Sequence, residues 1–120
     1  MNFTLTEINT HTLAILTSNG VVIHSAQDAL DLLANAGYQG ASGILMQDSQ
    51  LAPAFFNLRS GLAGEVLQKF STYDMRLAIV GDFTAYDSQA LREFIRESNR
   101  VGRISFVGTE AEAYLALTKG

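Results

Sequence analysis

The sequence predicts a single α/β domain over residues 1–120. The sheet is mixed and mainly parallel, of about five strands with about four helices and an antiparallel N-terminal edge. Three observations predict this. The chain has 120 residues, 48% of them hydrophobic, which suits one domain with one buried core. From Ser25 onward, segments with apolar residues every three or four positions alternate with short apolar runs bounded by turn residues. That alternation implies right-handed crossovers and parallel strands. Before Ser25, Phe3 to Ile8 alternates apolar and polar, the period of a half-buried strand, and two further short apolar runs follow.

The elements follow in order. Phe3 to Ile8 alternates apolar and polar, and Asn9-Thr10-His11 supplies a turn. Thr12 to Thr17 is a second strand. Ser18-Asn19-Gly20 is a turn signal, because Asn and Gly tolerate positive φ, and Val21-Val22-Ile23 reads as a short third strand. The opening is thus an antiparallel pair or a three-stranded meander. Ser25, with Asp28 three residues on, begins a helix whose buried stripe is Ala29, Leu30 and Leu33, and Gly37 is its stop. Gly43 to Gln47 is a buried strand ending at Asp48-Ser49.

Pro53 fits the first turn of the next helix, where its missing N–H costs nothing. Phe55, Leu58, Leu62, Val66 and Phe70 then mark one face of a helix about four turns long. Gly61 and Gly64 each weaken such a helix by ~1 kcal/mol, which calls for close packing or a break near Ser60. Met75 to Val80 is a central strand stopped by Gly81-Asp82. Ser88 or Asp87 caps a helix carrying Leu91, Phe94, Ile95 and Ser98 inward. Arg103 to Val107 is the last strand. Thr109 to Glu112 has the capping-box form, with Tyr114, Leu115 and Leu117 as apolar contacts of the final helix.

Composition excludes several classes of function. There is no cysteine, hence no disulfide framework and no thiolate metal site. No apolar run reaches the roughly 18 residues that span a membrane. MNFTLTEINT has neither the basic region nor the apolar core of a signal peptide. The expectation is a soluble cytoplasmic protein. Net charge is −4 and uneven: every Lys and Arg lies at or after Arg59, while residues 1–58 carry Glu7, Asp28, Asp31 and Asp48. An acidic front half argues against nucleic acid, whose phosphates need clustered bases. No P-loop, dinucleotide fingerprint, zinc-helix or nucleophile-elbow pattern is present, and two histidines without matching acids make no metal site, so no cofactor or metal is expected.

In an open α/β sheet, ligands gather beyond the C-terminal ends of the parallel strands. Those ends hold Asp48-Ser49, Gly81-Asp82 with Tyr86 in the loop beyond, and Gly108-Thr109. Loop solvation and helix capping account for Thr109. A second group, Asn57, Arg59, Ser60, Gly61, Gly64 and Glu65, rides at the start of the long helix. A serine there could carry a phosphate stabilised by free N–H groups and the helix dipole. Glu65 and Lys69, four apart, are the spacing of a solvated ion pair. Arg92, Arg96 and Arg100 form a stripe that Glu93 and Glu97 can neutralise at a spacing of three.

Phe55 to Phe70, Leu77 to Asp82 and Ser88 to Asn99 together resemble the bacterial domain-of-unknown-function family DUF4180. Its pattern runs F-F-x-L-x-[ST]-G-L-A-G-E-x-L-Q-K-F, then L-A-I-V-G-D, then S-x-x-L-R-x-F-I-x-E-S-N, about a third of this chain. The resemblance brings no activity with it. More remotely, the element order and Ser60-Gly61-Leu62 resemble the STAS fold of anti-sigma-factor antagonists, whose Asp-Ser-Ser-Gly-Leu-Gly segment is phosphorylated on serine. Leu58 and Arg59 stand here in place of the preceding Asp and Ser. What this second resemblance implies is a non-enzymatic, STAS-like regulatory module that binds a protein partner or small molecule, with a phospho-switch at Ser60. The alternative is a small enzyme or ligand sensor using Asp48, Asp82 and Glu65. A third reading is a purely structural oligomer built on the sheet edge, a homodimer being its simplest form.

Overall fold

The computed structural model describes residues 2–119. Strands β1 (Phe3–Ile8) and β2 (His11–Leu16) are joined at Asn9 and Thr10, whose φ angles are +51° and +68°. Two consecutive left-handed residues twist a tight turn in the sense that strands twist, so β1 and β2 form an antiparallel hairpin from Phe3↔Leu16 to Ile8↔His11. Then come α1 (Ala26–Tyr38), β3 (Gly43–Gln47), α2 (Leu62–Thr72), β4 (Arg76–Val80), α3 (Gln89–Val101), β5 (Ile104–Val107) and α4 (Glu110–Leu117). The sheet order is β1-β2-β3-β4-β5, with β2 to β5 mutually parallel. This is the predicted α/β class with its antiparallel N-terminal edge.

Successive strand side chains point to opposite faces, so the core has two layers. Ile44, Met46, Leu77, Ile79, Ile104 and Phe106 face α1, α2 and α3, meeting Leu32, Val66, Phe70 and Leu91. Leu13, Leu45, Ala78 and Val80 face the other way, against Ala113 and Leu117 of α4. Caps fall where the sequence places them. Ser25, Ser88 and Thr109 accept the N–H groups of Asp28, Leu91 and Glu112 at 3.1–3.2 Å. Asn99 of α3 covers the outer edge of β5: its Oδ1 accepts the Phe106 N–H at 2.7 Å and its Nδ2 donates to the Phe106 carbonyl at 3.2 Å. A side-chain amide thus occupies the ladder position that a sixth strand would take.

The structure corrects four expectations. Val21-Val22-Ile23 is no ladder strand. Ile23 makes a single bridge to Leu51, and the N–H groups of Val22 and Ile23 both donate to the Gln50 carbonyl. The long helix from Pro53 is three pieces: 3-10 turns at Pro53–Phe56 and Leu58–Ser60, then α2. Asn57 is extended (φ −101°, ψ 99°) and Gly61 left-handed (φ 80°, ψ −6°), and neither conformation continues a helix. Turns of three and of 3.6 residues present similar spacing, so apolar periodicity does not separate them. Phe55, Leu62, Val66 and Phe70 are buried all the same. Gly37 does not end α1, which runs on to Tyr38 before Gly40 turns left-handed. Leu115 is 71% exposed, and Ala113 with Leu117 makes the contacts expected of it. No helix of the described residues is long and apolar enough to cross a membrane.

Candidate functional site

The C-terminal ends of β2 and β3 are organised by a glutamine. Beyond Gln47 the chain makes a 3-10 turn, Asp48–Gln50, and the Gln50 side chain turns inward to 4% exposure. Its Oε1 accepts the Gln47 N–H at 2.8 Å, and its Nε2 donates to the carbonyls of Ser18 at 2.9 Å and Leu16 at 3.3 Å. The Gln50 backbone carbonyl takes Val22 N–H at 2.7 Å. One buried residue therefore fixes the loop carrying Val21 and the turn carrying Asp48. A buried amide with every group satisfied specifies a single arrangement.

Asp48 projects from that turn over the end of β4. An ideal β-carbon on residue 81 would lie 2.6 Å from the Asp48 Cγ and Oδ2, so only glycine leaves the carboxylate its place. Asp48 is half-buried. Among the described residues its carboxylate makes no hydrogen bond or ion pair within the chain.

The aromatic side of the site comes from two other loops. Tyr86 stacks on Phe56 with ring centroids 4.9 Å apart and planes at 21°. Phe56 also meets Phe55 edge-on at 5.1 Å, and Phe83 meets Phe106 at 5.2 Å and 88°. Both edge-on pairs have the geometry that aromatic quadrupoles favour. The Tyr86 phenol is pushed above its ordinary pKa, first by burial and second by the nearby Asp48 charge. It stays protonated at neutral pH and can donate. Together with Leu51, the residues Val21, Asp48, Ser49, Pro53, Phe56 and Tyr86 line an open groove of about 310 Å³.

The predicted residues do not all gather there. Asp48, Ser49 and Tyr86 do. Asp82 lies outside the groove: its Oδ1 accepts the Thr84 hydroxyl at 2.6 Å and the Thr84 N–H at 3.1 Å. The Thr84 hydroxyl bond, then the backbone bond, holds its carboxyl below the usual range. Asn57 caps the turn Leu58–Ser60 by accepting the Arg59 N–H at 3.3 Å, and Arg59 is exposed. Ser60 is exposed, yet its hydroxyl donates to the Ala54 carbonyl at 2.5 Å and accepts the Leu62 N–H at 3.2 Å. Gly61 supplies the left-handed turn into α2. A β-carbon on Gly64 would meet nothing within 4 Å, so no part of the described chain requires that glycine.

Glu65 is exposed and forms no ion pair with Lys69 among the described residues. Of the arginine stripe, Arg100 pairs with Glu97 through bonds of 3.0 and 2.5 Å, and Arg92 comes within 3.9 Å of Asp87, while among the described residues no Arg96–Glu93 pair forms. Sequence reasoning missed Phe56, Val21 and Gln50. Val21 carried a signal, as an apolar residue just after a turn. Gln50 carried none, because the two carbonyls its Nε2 reaches lie more than thirty residues away.

Fold and groove define a small mixed α/β domain with an open, partly aromatic, acidic groove at the C-terminal ends of its parallel strands. The chain belongs to the DUF4180 family, a domain of unknown function, whose family model matches residues 8–117. The match reaches well beyond the three motifs that carry the sequence resemblance. No curated protein and no solved structure matches the chain.

Proposed function

We propose that the chain is a non-enzymatic binding module, regulatory in role and working in the bacterial cytoplasm, that takes a small-molecule ligand or a partner's side chain in the Asp48–Tyr86 groove. The observation supporting this is the groove's construction. Asp48 is seated by Gly81 and positioned by Gln50, and Phe56 and Tyr86 form an aromatic wall beside it. Open α/β sheets collect ligands at this end of their strands. The groove offers one carboxylate and one phenol. The second carboxylate that an acid–base reaction would use, Asp82, is bound to Thr84 in its own loop. Such a set orients a bound molecule more readily than it transforms one. The test is a fragment screen of mixed charge followed by amide-shift mapping on labelled protein. Binders mapping to Val21, Asp48, Gly81 and Tyr86 support the reading. Binders that all map elsewhere would overturn it.

A switch at Ser60 is a second reading, favoured by that residue's exposure and its place just before α2. The STAS likeness behind it is carried by element order and Ser60-Gly61-Leu62 alone. Phosphorylation would exchange the Ser60–Ala54 bond for contacts of the phosphate with the first N–H groups of α2. Ser60→Asp should then lose a partner in pull-downs while keeping its fold. Unchanged recovery of the partner would sink the idea.

A further inference from the structure

We infer that the Asp48 groove binds a small organic ammonium ion: a protonated amine on a compact apolar body. The inference rests on the groove being the binding surface and adds the chemistry of what it takes.

Three observations carry it. The first is the carboxylate. Asp48 is half-buried, and among the described residues no Lys, Arg or His pairs with it and no N–H or O–H donates to it. A carboxylate drawn partly out of water without a partner is unfavourable, and here the fold gives up the side chain at position 81 to keep it in place. A cation delivered from solution would offset that cost.

The second is the charge around it. Val21, Asp48, Ser49, Leu51, Pro53 and Phe56 all come from residues 1–58, a stretch with no Lys or Arg. The remaining wall, Tyr86, has Arg92 nearby, but that guanidinium is directed to the Tyr86 carbonyl oxygen at 3.4 Å and to Asp87 at 3.9 Å. The lopsided charge of the sequence thus leaves this groove acidic.

The third is the lining. Apart from Asp48 and Ser49 the walls are apolar or aromatic: Val21, Leu51, Pro53, Phe56 and Tyr86. Phe56 and Tyr86, stacked on each other, supply aromatic surface to this wall. Burying an apolar body there adds transfer free energy. A volume of about 310 Å³ sits at the small end of ligand pockets, suiting a molecule of modest size. An anionic ligand does not match the charge, and a bare polar ligand does not match the walls.

Three probes of one shape separate the contributions: benzylammonium, benzyl alcohol and benzoate, titrated into the labelled protein with amide shifts recorded. Benzylammonium should shift Asp48, Gly81 and Tyr86 and bind at least about tenfold tighter than benzyl alcohol, as expected for one charge-assisted contact. Benzoate should leave these residues unmoved. Asp48→Asn, which keeps the side-chain shape, should remove the preference, with its thermal unfolding recorded alongside. The same contact can be read without mutation, since added salt should weaken benzylammonium more than benzyl alcohol. Equal binding of benzylammonium and benzyl alcohol would overturn the inference while leaving the groove a binding site. So would tighter binding of a blocked lysine amide than of benzylammonium, which would point to a partner protein's side chain. Benzylammonium shifts centred on other acids, such as Glu110 and Glu112, would overturn it outright.

Discussion

The Asp48 carboxylate occupies the space in which residue 81 would carry its β-carbon, at 2.6 Å from the ideal position of that atom. Two loops at neighbouring strand ends are thereby interlocked. Gly81→Ala must displace Asp48 or shift the end of β4, at a cost of about 1–3 kcal/mol, the usual range for overpacking. Urea unfolding measures this. Asp48→Ala should relieve part of the penalty in the double variant, because it removes the Cγ and Oδ2 at 2.6 Å while the β-carbon of residue 48 stays 2.8 Å away. Additive losses would mean that the two positions do not interact.

Gln50 should be costly to replace. Gln50→Leu keeps the volume and strips partners from the Gln47 N–H and the Ser18 and Leu16 carbonyls. Each buried group left unpaired costs about 1–3 kcal/mol. Chemical denaturation gives the total. Faster hydrogen exchange at the Gln47 amide would locate the damage.

The two glycines of the α2 region should respond in opposite directions. Gly61 holds φ at +80°, where a side chain is strained, so Gly61→Ala is expected to destabilise by about 1 kcal/mol. Gly64 lies within α2 with open space at its β-carbon position, so Gly64→Ala should stabilise by roughly 0.5–1 kcal/mol. Melting temperatures of the two variants test the pair. A destabilised Gly64→Ala would reveal a close approach that the fold does not contain.

Tyr86 sets an alkaline limit on stability. Burial, and after it the Asp48 charge, raises its pKa above the ordinary value of 10.0. The neutral phenol is thus favoured more in the folded chain than in the unfolded one. Its contribution is complete below the unfolded value and is lost as pH rises through the higher folded value. Tyr86→Phe should flatten this alkaline loss. Asp48→Asn should bring the Tyr86 pKa only part of the way back, since burial is the larger cause. A carbon-13 tyrosine titration resolves Tyr86 from Tyr38, Tyr73 and Tyr114. A full return to 10.0 in Asp48→Asn would mean that charge, and not burial, dominates.

Much of the fold was legible because the signals were local. The hairpin turn at Asn9-Thr10, the caps at Ser25, Ser88 and Thr109, and the apolar runs of β3, β4 and β5 each depend on residues a few positions apart. The misreadings came where one local pattern serves two conformations. A spacing of three to four fits both the 3-10 turns before Gly61 and the α-helix expected there. The apolar triplet Val21 to Ile23 fits a strand, yet its backbone bonds to the Gln50 carbonyl instead. Of the site, Asp48 and Tyr86 could be named from the strand ends, but not their relation to each other.

By itself the sequence determined a mixed α/β domain of the DUF4180 family whose Lys and Arg residues are confined to the chain from Arg59 onward. These properties follow from composition, local spacing and motif, which need no knowledge of what lies opposite in space. Only the tertiary structure decided which residues make the groove. It brought Val21, Asp48, Phe56 and Tyr86 together from four separate segments, turned Asp82 away into its own loop, and made Gly81 necessary and Gly64 dispensable. The physical reason is that a carboxylate's role depends on what surrounds it. For Asp48 and Asp82, those surroundings are set by packing between strand ends and loops distant in sequence.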